Sequence, residues 1–178
     1  MRKSLFICGL MGSGKSFLGK KLAISLELPF IDLDDKIEQD EETSISSIFS
    51  KKGESFFRAL ELSQVSALLE KKKPSVIALG GGAVCFNSVD QMILSQGILV
   101  YFYSSPEHIY DRIKSETHRP LLNDENGKPL SEKEILEKLD LLQLKRSKYY
   151  ENAHLQLNVD ELSVEDVLTE IRDFYEHC

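Results

Sequence analysis

The sequence has little cysteine, no long apolar run and no block of basic charge, and each shortage closes off a class of protein. Cys8, Cys85 and Cys178 are three in number and far apart. That spacing supports neither a disulfide framework nor a zinc knuckle, and suits scattered reduced thiols in a cytoplasmic protein. No stretch approaches the roughly 20 apolar residues needed to cross a membrane, so a soluble chain with no membrane partner is expected. The net charge is −7 without clustered Lys and Arg, which argues against a sequence-independent grip on nucleic acid. No internal repeat or low-complexity linker divides the chain. The opening "MRKSLFICGL" leads straight into a glycine loop instead of a cleavage-type segment, so it is read as a strand and no targeting signal is expected. At 178 residues, with 42% hydrophobic and 29% charged residues, one domain spanning residues 1–178 is expected.

What is present alternates. Apolar runs recur at 4–8 ("SLFIC"), 30–33 ("FIDL"), 75–79 ("SVIAL"), 98–103 ("ILVYFY") and 154–159 ("HLQLNV"). The first four are nearly continuous, as expected of parallel strands covered on both faces. Between them lie helical signatures. Leu18, Leu22 and Leu26 recur every four residues, and Val164, Val167, Leu168 and Ile171 outline an amphipathic final helix. Ser131 with Glu134 and Ser163 with Asp166 fit the capping pattern, and Ser105-Pro106 places a cap before a first-turn proline. Strands alternating with helices imply βαβ units and an α/β fold. The stretch 115–134, "SETHRPLLNDENGKPLSEKE", is polar, punctuated by Gly and Pro and long for a connection, which makes it the candidate mobile lid.

The first strand runs into "GLMGSGKS" at 9–16. Gly9, four residues, then Gly14-Lys15-Ser16 is the spacing of a loop whose backbone N–H groups converge on phosphate oxygens at a helix N-terminus. Lys15 would reach the outer phosphates and Ser16 would ligate Mg²⁺. "DLDD" at 32–35 ends the second strand, where open α/β sheets place their ligands. Strand alternation would point Asp32 and Asp34 the same way, with Leu33 turned into the packing. Two such carboxylates can divide the work of metal ligand and base for a substrate hydroxyl; Asp34 or Asp35 could equally cap the following helix.

Six of the 22 basic residues are arginines. Arg2 and Arg172 lie near the ends, whereas Arg58, Arg112, Arg119 and Arg146 fall around the expected site, and arginine suits bidentate recognition of carboxylate and phosphate. Gly80, Gly81 and Gly82 in "ALGGGAV" close the third strand, where backbone can approach a ligand. From the residues alone these features describe a small P-loop kinase with a lid. They leave the acceptor open between a small hydroxy acid such as gluconate and a nucleotide, with a P-loop binding module or switch as the other class. A switch would usually carry a guanine-reading N-K-x-D motif, which is absent, and no base pocket for a nucleotide acceptor is evident.

Taken together, "GLMGSGKS", "DLD" at 32–34, "GESFFR" at 53–58 with Glu61, "ALGGG" at 78–82, "HRPLL" at 118–122 and "LKRSKYYENA" at 144–153 match in order and spacing. Over nearly its whole length the chain resembles the shikimate kinases. That resemblance implies a three-layer α/β/α P-loop domain of the nucleoside-monophosphate-kinase type, with a five-stranded parallel sheet, a substrate-binding segment at about 34–62 and a lid at about 113–130. It implies an enzyme that transfers a phosphoryl group from ATP, with Mg²⁺, to the 3-hydroxyl of shikimate, giving shikimate 3-phosphate and ADP in the biosynthesis of chorismate and aromatic amino acids. By the same resemblance Gly12, Ser13, Gly14, Lys15, Ser16 and Phe17 would hold the nucleotide, with Asp32 on Mg²⁺ through water. Asp34 would contact the accepting hydroxyl. Arg58, Gly80, Gly81, Gly82 and Arg146 would bind shikimate, the two arginines clamping its carboxylate, while Glu61 orients Arg58. Arg119 would descend with the lid onto the transferring group, and Arg112 would lie against adenine. Phe49 and Phe57 would wall the substrate ring, unless they are simply core. The loop after the last strand, "NVDELS" at 158–163, offers neither the arginine nor the proline that family members commonly place against adenine. The family suggests a monomer.

Overall fold

Alternation within the strands decides which side of the sheet each residue serves. The computed structural model describes residues 2–71, 73–115, 120–124 and 127–177. In β1 (Leu5–Cys8) all four residues are buried, yet they enter two separate cores. Phe6 and Cys8 join the layer that also holds Leu33, Ile37, Ile48 and Phe57, while Leu5 and Ile7 face the opposite layer with Leu18, Leu22 and Leu26. A strand covered on both faces needs no polar alternation, which is why its run is unbroken in the sequence.

Four further strands complete the sheet: β2 (Phe30–Asp32), β3 (Val76–Ala78), β4 (Ile98–Tyr103) and β5 (Leu155–Asn158). Their order is β2-β3-β1-β4-β5, and every pairing is parallel. The helices are α1 (Lys15–Ser25), α2 (Leu33–Asp40), α3 (Ile45–Glu70), α4 (Val89–Gln96), α5 (Pro106–Ile113), α6 (Glu132–Tyr150) and α7 (Val164–Glu176). With helices on both faces, this is the expected three-layer α/β/α domain. Helices α1 and α7 lie together on one face of the sheet. Helix α3 is interrupted at Gly53, whose φ of 80° breaks the helical path and sets residues 54–70 on their own course.

The expected starts are present. Ser131 and Ser163 each form a full capping box with Glu134 and Asp166, and Ser105 caps α5 ahead of Pro106. One expectation is corrected. The second strand ends at Asp32 rather than residue 33, and α2 begins at Leu33. Asp32, not Asp34 or Asp35, is the cap, accepting a hydrogen bond from the Asp34 N–H at 3.1 Å. A cap satisfies an otherwise orphaned donor; Leu33 still enters the core, fully buried. Asp34 therefore reaches the site from a first helical turn and not by strand alternation. Within the proposed lid span, Pro120–Leu122 forms a 3-10 turn and Asn123 bridges Pro129. Arg119, and residues 116–118, 125 and 126 with it, lie outside the described residues.

Candidate active site

All the strands point their C-terminal ends the same way, and the loop after β1 meets those after β2 and β3 there. Gly12 and Gly14 have φ of 77° and 89°, a region that side-chain-bearing residues rarely enter. Gly14 is the N-cap of α1 and no side chain caps the helix, so its first N–H groups are presented to an anion. Lys15 folds over the loop, its Nζ donating to the carbonyls of Gly9 at 3.0 Å and Leu10 at 2.8 Å. Ser16 Oγ donates to Asp32 Oδ2 at 2.6 Å, joining the loop to the end of β2. Ser13 Oγ is buried without a hydrogen-bond partner among the described residues.

Asp34 stands beside this loop. Burial first, and then the negative charge of Asp32, push its carboxyl up to about 6. A methyl group on Gly80 would sit 2.7 Å from Asp34 Oδ1 and 2.8 Å from Glu61 Oε1, so only glycine lets these two carboxylates approach the backbone. Both of those oxygens are buried and have no hydrogen-bond partner among the described residues. Buried polar atoms of that kind are costly unless a ligand satisfies them.

Arg58 completes this corner. Its NH1 donates to Glu61 Oε2 at 2.6 Å, as expected of the i, i+3 pair, and its Nε and NH2 both reach Glu54 Oε1, at 3.2 and 2.9 Å. The Glu61 side chain is 1% exposed and that of Arg58 12%. Burial raises the Glu61 carboxyl, and the hydrogen bond and charge of Arg58 oppose that rise. The Phe86 ring covers the Arg58 guanidinium at 4.4 Å, a contact that no sequence pattern had marked. Arg146 NH1 donates to the Gly81 carbonyl at 3.0 Å. The glycine triplet thus lies between the two arginines, a Gly82 methyl falling 2.9 Å from Arg58 NH2. Phe57 is buried and its ring lies 4.8 Å from that of the part-exposed Phe49; Phe57 is a core residue that also underlies Arg58.

On the other side of the loop, Arg112 is held in place. It donates to the Gly12 carbonyl at 3.2 Å, to Ser104 Oγ at 3.0 Å and to Asp160 Oδ1 at 3.1 Å. Asp160 also accepts from Ser104 Oγ at 2.6 Å and the Ser105 N–H at 2.7 Å. Burial raises its carboxyl, but those hydrogen bonds and nearby His108 outweigh burial and hold it below the usual range. In the sequence Asp160 belongs only to a loop lacking arginine and proline, and nothing local announces its 48-residue reach to Arg112. The same loop supplies Val159 and Leu162, which with Phe17, Leu18, Val164 and Arg112 bound an apolar recess of about 250 Å³. It adjoins a cleft of about 370 Å³ that takes in Lys15, Ser16, Asp32, Asp34 and Gly81.

A phosphate-binding loop with its lysine, a hydroxyl–carboxylate pair of hard oxygens and a neighbouring carboxylate–arginine pocket define a P-loop phosphotransferase for a small polar acceptor. Relatives specify the class further. The family model described as shikimate kinase matches residues 11–176. A shikimate kinase of Chlorobium limicola is 42% identical over 88% of this chain and 78% of its own length. One of Chlorobium phaeobacteroides is 36% identical over 94% of this chain and 83% of its own. Among solved structures, shikimate kinase from Bacteroides thetaiotaomicron superposes with a TM-score of 0.89 at 29% identity, covering 99% of each chain. That of Acinetobacter baumannii, in complex with shikimate, does so with a TM-score of 0.83 at 31% identity over 98% of this chain and 93% of its own. A gluconokinase from Sinorhizobium meliloti, at 16% identity and a TM-score of 0.58, shares the fold alone. The chain belongs to the shikimate kinase family, and it is an enzyme of the kinase class.

Proposed function

We propose that this chain transfers the γ-phosphoryl group of ATP to the 3-hydroxyl of shikimate, and that the residues described above divide the work in the following way. The observation that carries the acceptor assignment is the pair of buried, unpartnered carboxylate oxygens at Gly80, Asp34 Oδ1 and Glu61 Oε1, next to two arginines. Hydroxyls satisfy the first and a carboxylate suits the second, so the pocket fits a small hydroxylated acid. Asp34 accepts the proton of the attacking hydroxyl; that oxygen bonds to the γ-phosphorus as the bridge to the β-phosphate breaks, and ADP departs. Arg58 and Arg146 hold the substrate carboxylate, with Gly81 and Gly82 lining the pocket. Lys15 turns from the loop carbonyls to the phosphates, since phosphoryl transfer asks chiefly for positioning and positive charge.

Ser16 Oγ and Asp32 Oδ2, 2.6 Å apart, fit Mg²⁺, which takes hard oxygens and holds few protein ligands beside water and phosphate. The ion, when bound, neutralises charge on the phosphates. Adenine occupies the recess of Phe17, Val159 and Leu162, beside Arg112. The residues 113–130 act as a lid carrying Arg119, residues 34–62 as the acceptor segment; family resemblance supports these two roles. The scattered thiols Cys8, Cys85 and Cys178 support a cytoplasmic enzyme, the acidic chain supports small-molecule rather than nucleic-acid partners, and the family resemblance supports a monomer.

The test is ADP release from MgATP with shikimate, gluconate or AMP as acceptor. Turnover is expected with shikimate, little with the other two, and none after chelation of Mg²⁺. Equal turnover in the absence of any acceptor would overturn the assignment.

A further inference from the structure

We infer that Tyr150 is a positioning residue for the acceptor: through the Gly81 carbonyl it sets the direction in which the Gly82 N–H faces the shikimate pocket. This rests on the acceptor reading above. Tyr150 is the last residue of α6 and is fully buried. Its ring stacks on Tyr101 of β4, with centroids 4.9 Å apart and planes at 25°, so it cannot swing. Its hydroxyl donates to the Gly81 carbonyl oxygen. Arg146, one turn earlier on the same helix, donates to that oxygen at 3.0 Å. Two donors use both lone pairs of one carbonyl.

A trans peptide is planar, with its C=O and N–H pointing in opposite directions, and the described chain contains no cis bond. Holding the Gly81 carbonyl toward α6 therefore turns the Gly82 N–H away from it, toward the opposite side of the peptide. That N–H has no backbone acceptor among the described residues. Three successive glycines impose little preference of their own; the turn bond from the Ala83 N–H to the Gly80 carbonyl at 3.1 Å leaves the central peptide to be oriented from outside. Arg146 cannot do this alone, because it is also the group that turns toward the substrate carboxylate. When it does, Tyr150 remains as the donor on Gly81. Burial pushes its phenol far above the ordinary range, so it stays protonated and donating throughout the working pH range.

Tyr150→Phe keeps the ring and its stack on Tyr101 and removes only the donor. The shikimate KM is expected to rise about tenfold, the loss of one oriented hydrogen bond. Meanwhile kcat and the ATP KM stay within about twofold and the melting temperature within about 3 °C of the parent. Tyr101→Phe, which removes the neighbouring hydroxyl that accepts from Gln143, is expected to leave the shikimate KM unchanged. An unaltered shikimate KM in Tyr150→Phe overturns the assignment. So does a fall in melting temperature of more than about 6 °C with every kinetic constant moving together, since that is the mark of a merely structural residue. Arg58→Ala, measured alongside, separates the two failures. If it loses shikimate binding while Tyr150→Phe does not, only the role of Tyr150 falls; if it binds shikimate like the parent, the acceptor reading falls and the role of Tyr150 with it.

Discussion

Asp34 is the residue at which stability and activity pull in opposite directions. Its carboxyl is raised to about 6, by burial first and then by Asp32, against an unfolded value of about 3.9. The folded protein therefore binds the proton more tightly than the unfolded chain, and this group's contribution to stability declines as pH rises from about 4 through about 6. In the proposed mechanism only the deprotonated carboxylate takes the hydroxyl proton. For the free enzyme, kcat/KM for shikimate is expected to fall with unit slope as pH drops through about 6. Asp34→Asn removes both effects: turnover is expected to drop at least about 100-fold, nucleotide binding to persist, and the melting temperature at pH 7 to stay level or rise. ADP-release profiles and thermal melts at pH 5 and 7.5 check this. Turnover near the parent level would return Asp34 to an ordinary first-turn helix residue. The combination has a physical origin in Gly80, where the missing side chain lets the carboxylate sit against backbone and forgo a protein donor.

At the scale of elements, the helix starts carry a separable share of stability. Ser163 accepts from the Asp166 N–H at 3.2 Å while Asp166 accepts from the Ser163 N–H at 3.2 Å. The helix they open, α7, packs against α1 on the face away from the acceptor pocket. Ser163→Ala is expected to cost about 1 kcal/mol, a fall of roughly 2–4 °C for a chain of this size, with the shikimate KM unchanged. A change in the shikimate KM without a change in melting temperature would contradict this separation. Such caps were legible because their signal is local: a serine, two residues, then a carboxylate. The first four strands were legible for a similar reason, an apolar run too continuous for a solvent-facing element. Glu61 with Arg58 followed from the family resemblance, and three residues on a helix are one turn, which lets the pair meet. What lay beyond reading depended on distance along the chain. Asp160 meets Arg112 across 48 positions and Tyr150 meets Gly81 across 69, and neither pairing leaves a periodicity. "DLDD" misled differently: a strand end and a helix cap both place a carboxylate at Asp32, and only the Asp34 N–H, seeking an acceptor, decides for the cap.

At the scale of the molecule, the proposed donor and acceptor halves share one sheet edge but hang from different elements, and their binding should be separable. The donor half rests on the loop between β1 and α1, braced by Arg112 and Asp160 from α5 and the loop after β5. The acceptor half rests on the second part of α3, the turn after β3 and the end of α6. Ser16 with Asp32 is the hydrogen-bonded seam between them. A ligand that binds only the folded state at 100 times its Kd adds about 2.7 kcal/mol, or roughly 5–10 °C here. In Arg58→Ala, the shift from shikimate is expected to vanish while that from MgADP stays within about 2 °C of the parent. In Lys15→Ala the reverse is expected, because the Lys15 Nζ donates to the Gly9 and Leu10 carbonyls of the phosphate loop. Loss of both shifts in Arg58→Ala would mean that the acceptor corner supports the phosphate loop itself. Glu61 makes that variant the sharper one: with 1% of its side chain exposed, it loses the Arg58 guanidinium it is paired with. If the strain stays local, shikimate binding alone reports it; if it passes through Gly80 to Asp34 and the Asp32 seam, the nucleotide shift reports it too.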